Sequence, residues 1–347
     1  NASRIVRSMH DGGVGTRLGE RPGRTLVELG VHHLHAARVG HRPLEAVHSF
    51  GRRDVEPRSV LLLLGDGARK GVDQVAVRIG DRQHGIADRR RVQEVHDPNA
   101  ALEVLAARPI DVVLISHNHF DHLDRLSVFA LAQRSRVASP SASGQTLFLV
   151  PLGLKVWFAN IGIDNVVELD WWQKHSVRGV DFYLTPVQHW STRNMVDKNK
   201  SLWGGWAVAA PGFRWYFSGD TGYSQDFADT NAFFSKIWLA APMAKAGTSE
   251  PSAAGTRLFD LALIAIGAYQ PRWFMAAQHV DPLEAVRIHQ DLGAAQSIGI
   301  HWGTFNLTDE ALDQPPVDLA DARRKSGLTD DAFTVLKIGQ TRTFGPR

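Results

Sequence analysis

With 347 residues, 44% of them hydrophobic and 22% charged, the chain has the composition of a soluble globular protein and the length for one large domain or two ordinary ones. It contains no cysteine, which excludes disulfides, thiolate zinc sites and a cysteine nucleophile, and leaves His, Asp and Glu to hold any transition metal. A formal net charge of +3 is too small for a nucleic-acid surface, and no run of about 18 apolar residues offers a membrane span.

Residues 1–97 are rich in Arg, His and Gly, hold one aromatic, Phe50, and carry none of the ten tryptophans. The opening NASRIVRSMHDGGVGTR does not begin with Met, so the true start is expected to lie before Asn1. It also lacks the apolar core of a secretory signal, so a cytoplasmic placement is expected. SVLLLLG at 59–65 reads as a short buried strand, while no long segment here has clean helical or strand periodicity. The histidines of this region, VHHLH at 31–35 among them, have no acidic partners at ligand spacing and are not taken as metal ligands. Residues 1–97 are therefore set apart as an atypical region. Two readings of it stand, a separate basic module and altered coding sequence, and the second fits the scattered pattern better.

From residue 98 to 347 apolar runs that end in polar loops alternate with helical stretches, the pattern of an α/β domain. The expected strands are DVVLIS, GVDFYLTPVQ, WGGWAVAA, FRWYFSGD, DLALIAIG and SIGIHWG. DRLSVFALAQR and DPLEAVRIHQDLG are the expected helices, the second with Pro282 in its first turn and Gly293 at its end.

LISHNHFDHLD, residues 114–124, places His117, His119, Asp121 and His122 straight after the first of these strands. Side chains alternate in an extended segment, so 117, 119 and 121 share a face, and a turn into the following helix brings His122 to the same cavity. So many imidazoles and carboxylates at one strand end are costly to bury unless a cation binds them. Three later strand ends add His189 in LTPVQHW, Asp220 in YFSGDTG and His301 in IGIHWGTF.

These blocks resemble the metallo-β-lactamase superfamily. ISHNHFDHLD, PVQHWSTRNMVDKNKSLWGGW, YFSGDTGY, IGAYQPRWFMAAQHVDPLEAVRIH and IGIHWGTFNL are, more narrowly, similar to the N-acyl phosphatidylethanolamine-hydrolysing phospholipase D family, over residues 98–342. The resemblance implies an αββα sandwich with two zinc ions. His117, His119 and His189 would hold one ion, Asp121, His122 and His301 the other, and Asp220 would bridge them. It implies hydrolysis of a phosphodiester by metal-activated water, giving phosphatidic acid and an N-acylethanolamine, with Asp121 and His279 catalytic and Phe120 and His279 touching substrate. The implied partner is a phospholipid, not a nucleic acid; peripheral contact with the membrane and a homodimer are both compatible with it.

Several stretches keep two readings. Phe120 stands where animal members of the family have a tyrosine, leaving its ring to pack on substrate or on the neighbouring strand. Most tryptophans read as core, with an acyl-chain channel as the alternative. FFSKIWLAAPM at 233–243 reads as buried against the domain before it reads as a lipid-dipping surface, and AKAGTSEPSAAGT at 244–256 as a polar insertion. STRNMVDKNK at 191–200 offers Arg193, Lys198 and Lys200 either to an anionic headgroup or to solvent. Residues 1–97 lack the family's opening strands: His96-Asp97-Pro98 is present, but the charged DRRRVQE precedes it. Other functions on the same ligand set are a lactonase, a nuclease and a non-catalytic metal- or lipid-binding protein.

Overall fold

The computed structural model describes residues 25–34, 58–63, 72–81, 110–138, 145–239, 257–337 and 340–344. Two seven-stranded sheets form its centre. In the first, β1 (Thr25–Leu34), β2 (Arg58–Leu63) and β3 (Val72–Asp81) lead to β4 (Val112–Leu114), β5 (Leu147–Pro151) and β6 (Val166–Leu169), and β14 (Thr341–Phe344) returns to the far edge. The second runs from β7 (Lys174–Val177) through β8 (Val180–Thr185), β9 (Gly205–Ala210), β10 (Phe213–Phe217), β11 (Leu261–Ala265) and β12 (Ser297–Ile300) to β13 (Phe333–Val335). In each sheet an antiparallel part passes into a parallel part, at β2–β4 and at β10–β11.

Each central strand is apolar on both faces because both faces are covered. In β4, Val112 and Leu114 point between the sheets, while Val113 and the following Ile115 point outward. In β11, Leu261 and Leu263 join the inter-sheet core, and Ala262 and Ile264 pack outward. Helices α1 (Arg125–Ala138) and α2 (Lys155–Ala159) cover the first sheet with Val128, Ala132 and Phe158. Helices α3 (Asp226–Phe234), α5 (Pro282–Asp291) and α6 (Gln314–Lys325) cover the second with Phe227, Phe234, Val286 and Leu319, and a short α4 (Arg272–Met275) precedes α5. The layers are those of an αββα sandwich, as expected.

The expected break at residues 97 and 98 is no break in the first sheet. β2, from the expected SVLLLLG strand, pairs in parallel with β4, which carries the first metal motif, and β1 pairs with β14 at the other end of the chain. Thus a strand from before residue 98 lies directly beside the strand that carries the first metal motif. DRRRVQE, His96-Asp97-Pro98 and the 244–256 insertion lie outside the described residues, as do the side chains of VHHLH. Phe234 is fully buried and Trp238 stacks on it at 4.1 Å, so FFSKIWLAAPM packs inward at these two rings, while Ile237 stays exposed. Of the tryptophans, Trp206 and Trp215 are fully buried and Trp157, Trp171, Trp203, Trp238 and Trp302 pack against the core, as expected for most of them, whereas Trp273 is 85% exposed.

Candidate metal centre

All seven expected ligands converge at one end of the sandwich, each beyond the C-terminal end of a strand. The chain leaves β4, and the amides of His122 and Leu123 both donate to the His119 carbonyl, at 3.1 and 2.9 Å. That turn lets neighbours in sequence serve two different donor groups. His189 follows β8, and its loop is tied to the Asp220 turn where the Gly222 amide donates to the Gln188 carbonyl at 2.7 Å. Asp220 follows β10 through Gly219, which has φ +58° and lies so close to Ser116 that an added Cβ would sit 2.7 Å from the serine Cβ. Only glycine fits there. The second sheet also holds the first motif directly, because the Trp206 indole donates to the Ile115 carbonyl at 3.0 Å.

Two donor groups result. His117 Nε2 lies 2.8 Å from His119 Nδ1, which lies 3.3 Å from His189 Nε2. In the second group His122 Nε2 is 3.3 Å from Asp121 Oδ2 and 2.9 Å from Asp220 Oδ2, while His301 Nε2 is 3.5 Å from Asp121 Oδ2 and 3.4 Å from Asp220 Oδ1. Tetrahedral ligands at about 2.1 Å from one ion lie roughly 3.4 Å apart, so both groups have the spacing of a metal shell. Asp220 Oδ2 is also 3.9 Å from His189 Nε2, which places this carboxylate between the groups.

The donor chemistry fits a cation. His119 Nε2, His301 Nε2 and Asp220 Oδ1 are buried and make no well-formed hydrogen bond among the described residues. Burial drives the His117 pKa well below that of free imidazole, helped by His122, His189 and His119, and drives His189 to about 3. Both imidazoles therefore present lone pairs. His122 behaves oppositely: burial pulls its pKa down, but the Asp220 and Asp121 carboxylates outweigh burial and lift it to about 10. Burial raises the Asp220 carboxyl, yet His122, His301 and His279 together hold it well below the usual carboxylate range. Without a metal, a proton on His122 supplies the positive charge that two buried carboxylates demand.

Outer contacts orient the ligands. The His189 Nδ1 faces the Gln278 carbonyl at 2.9 Å, and the His117 Nδ1 faces the Ser116 hydroxyl at 3.0 Å. His279 stands beside both groups, its Nδ1 4.0 Å from Asp220 Oδ2 and its ring stacked on His301 at 5.6 Å. Burial lowers its pKa to about 4.

Two site residues depart from expectation. Phe120 is 56% exposed rather than packed on a strand, and it lines a groove with His119, Trp190 and Met195. Arg193 does not face solvent as a free basic group. Its Nη1 donates to the carbonyls of Asn118 at 2.9 Å and Leu123 at 2.7 Å, on either side of the ligand turn, and its guanidinium covers the Phe120 ring at 4.2 Å. Lys198 lies over Trp190 at 5.0 Å, and Lys200 is exposed. The bracing by Arg193 and Gln278 carried no sequence signal, since an acceptor carbonyl can belong to any residue.

The chain is 36% identical over 246 residues to N-acyl-phosphatidylethanolamine-hydrolyzing phospholipase D 1 of Caenorhabditis elegans, covering 67% of this chain and 60% of that one. It is 35% identical over 239 residues to the mitochondrial N-acyl-phosphatidylethanolamine-hydrolyzing phospholipase D of Saccharomyces cerevisiae, covering 67% and 45%. The matches span about half the length of these curated relatives. Among solved structures, the metallo hydrolase Igni18 of Ignicoccus hospitalis superposes with a TM-score of 0.49 and 17% identity, over 70% of this chain and 83% of that one. The model of the beta-lactamase superfamily domain matches residues 86–241 and 244–302, starting ahead of the expected boundary at 98 and taking in every proposed ligand. With most of its length matched, the chain belongs to the beta-lactamase superfamily.

Proposed function

We propose that the protein is a two-zinc phospholipase D-type hydrolase that converts N-acyl phosphatidylethanolamine to phosphatidic acid and an N-acylethanolamine. The observation that carries this reading is the pair of adjacent donor groups with Asp220 of the second reaching towards His189 of the first, on a chain similar to two phospholipases of that name. His117, His119 and His189 would hold one ion, Asp121, His122 and His301 the other. A pair of such ions supplies a water acidic enough to attack near pH 7 and screens the charge that develops on a phosphoryl group.

The protein's own groups do the rest. Asp121 and Asp220 would offset part of the charge of two divalent ions, leaving a net positive site that attracts an anionic phosphodiester. His279, kept neutral by burial, enters as an imidazole whose N–H donates to a phosphoryl oxygen, which favours orienting the substrate over protonating the leaving alkoxide. As the P–O bond to the N-acylethanolamine breaks, that alkoxide takes a proton from water. Phe120, Trp190 and Met195 line an apolar wall beside the first donor group, suited to the lipid portion of the substrate. No helix among the described residues is long and apolar enough to cross a membrane. In this reading the lipid is met peripherally, and the exposed Trp273, Phe274 and Met195 supply the apolar contact.

Zinc analysis and turnover on three substrates test the reading: N-acyl phosphatidylethanolamine in vesicles, a lactone and a structured RNA. Release of N-acylethanolamine with zinc near two per chain is the expected result. Faster hydrolysis of the lactone or the RNA would replace it with the corresponding enzyme, and full zinc with no hydrolysis would make the chain a binding protein.

A further inference from the structure

His301 is held in an unusual backbone conformation, with φ +59°, and Ala268 in the facing loop has φ +65°. Non-glycine residues adopt this region at an energetic cost and stay there only when their surroundings enforce it. The two loops that follow β11 and β12 enforce it together. At Gly267 an added Cβ would stand 2.0 Å from the His301 carbonyl oxygen, so the two backbones are in direct contact. The loop beyond Gly267 is clamped by one side chain. Glu310 Oε1 accepts the amides of Ala268 at 2.7 Å and Tyr269 at 3.2 Å, and Oε2 accepts the Gln270 amide at 2.9 Å and the Thr308 hydroxyl at 2.7 Å.

Three consecutive amides on one carboxylate form a charge-assisted clasp, stronger than the same count of neutral bonds. The clasp closes the loop after β11 onto the chain that runs out of β12, with the His301 backbone caught between them. From that backbone the imidazole reaches Asp121 and Asp220, and its ring lies against His122 at 5.2 Å.

We propose that Glu310 is a positioning residue for the second donor group, holding His301 in its strained conformation by pinning the 268–270 loop against it. The inference rests on the two-metal reading of the site. Without the clasp, His301 relaxes toward negative φ and its Nε2 leaves the group it shares with Asp121, His122 and Asp220. The His117, His119 and His189 group touches neither loop segment of the clasp and keeps its geometry.

Zinc retention by the full-length, zinc-loaded protein under titration with a chelator tests this without any substrate. In Glu310→Ala one of the two ions should be released at about ten- to hundredfold lower chelator concentration than in the wild type, the range usual for losing a ligand's support. The other ion should be released at the wild-type concentration. His301→Ala should lose the same ion, and adding Glu310→Ala to it should have little further effect, because both act on one ligand. Glu310→Gln, which keeps one accepting oxygen, should fall between wild type and Ala, and it carries the test if Glu310→Ala does not fold. Equal loosening of both ions, unchanged retention of both, additivity with His301→Ala, or a wild type that binds a single ion would each overturn the assignment. Lack of phospholipid hydrolysis with the selective loss intact would overturn the proposed substrate instead.

Discussion

His279 differs from the seven proposed ligands in what it faces. Its Nδ1 is buried without a hydrogen-bond partner among the described residues, yet it stands outside both tight donor groups, 4.0 Å from the Asp220 carboxylate. In the proposed reading His279 meets substrate, but it also forms a third possible donor group with His189 and Asp220. Replacing His279 by Ala should lower turnover by about a hundredfold or more, the usual contribution of a positioned acid, base or donor, while zinc stays at the wild-type stoichiometry. Steady-state kinetics beside zinc analysis on one preparation separates the two, and loss of zinc would make His279 a ligand. The ligands themselves were legible because their letters sit at fixed places after apolar runs. Arg193 was not, since a basic residue in a polar loop gives no sign that it turns inward to brace two carbonyls.

The elements that present these groups were largely visible as patterns. The expected DPLEAVRIHQDLG helix spans Pro282–Asp291, with Pro282 in its first turn and a capping box in which Asp281 accepts the Glu284 amide. What the pattern did not disclose is the inner use of His289 on this helix. It is buried, its Nδ1 meets the Ser297 hydroxyl of β12 at 2.7 Å, and its ring lies against Phe333 of β13. Burial lowers its pKa to about 4, with Arg257 adding to the effect. Below the unfolded value near 6.5 the unfolded chain takes up a proton that the folded chain refuses, so stability is present above that value and is lost as pH falls toward 4. Between pH 7 and 5 this should remove about 2 kcal/mol that His289→Gln does not lose. Denaturant unfolding of both proteins at the two pH values measures the difference; equal losses would show that His289 plays no part in it.

At the level of the molecule, the first sheet ties both ends of the chain together. β1 pairs with β3 along its ten residues and with β14 on its other edge, and β2 lies between β3 and the ligand strand β4. Deleting residues 1–97 would strip β4 of β2, one of its two parallel neighbours, and leave unpaired backbone along that edge. The truncated protein should therefore unfold at a lower temperature than the full chain, or aggregate, in a thermal melt followed by circular dichroism. An unchanged cooperative midpoint would mean that these strands add nothing to stability. The region's composition hid this role because its strands are separated by Arg- and Gly-rich stretches and two of them pair with partners outside it, β2 with β4 and β1 with β14.

By itself the amino-acid order determined which side chains can bind a cation and which runs are buried strands, because ligand identity and apolar alternation are local properties. The tertiary structure decided how those side chains divide between two groups, which residues brace them and which distant strands share a sheet. These depend on contacts between segments far apart in the chain, such as Glu310 with the 268–270 amides or Gly219 with Ser116. A backbone amide or a close approach of two chains leaves no letter in the sequence to mark it.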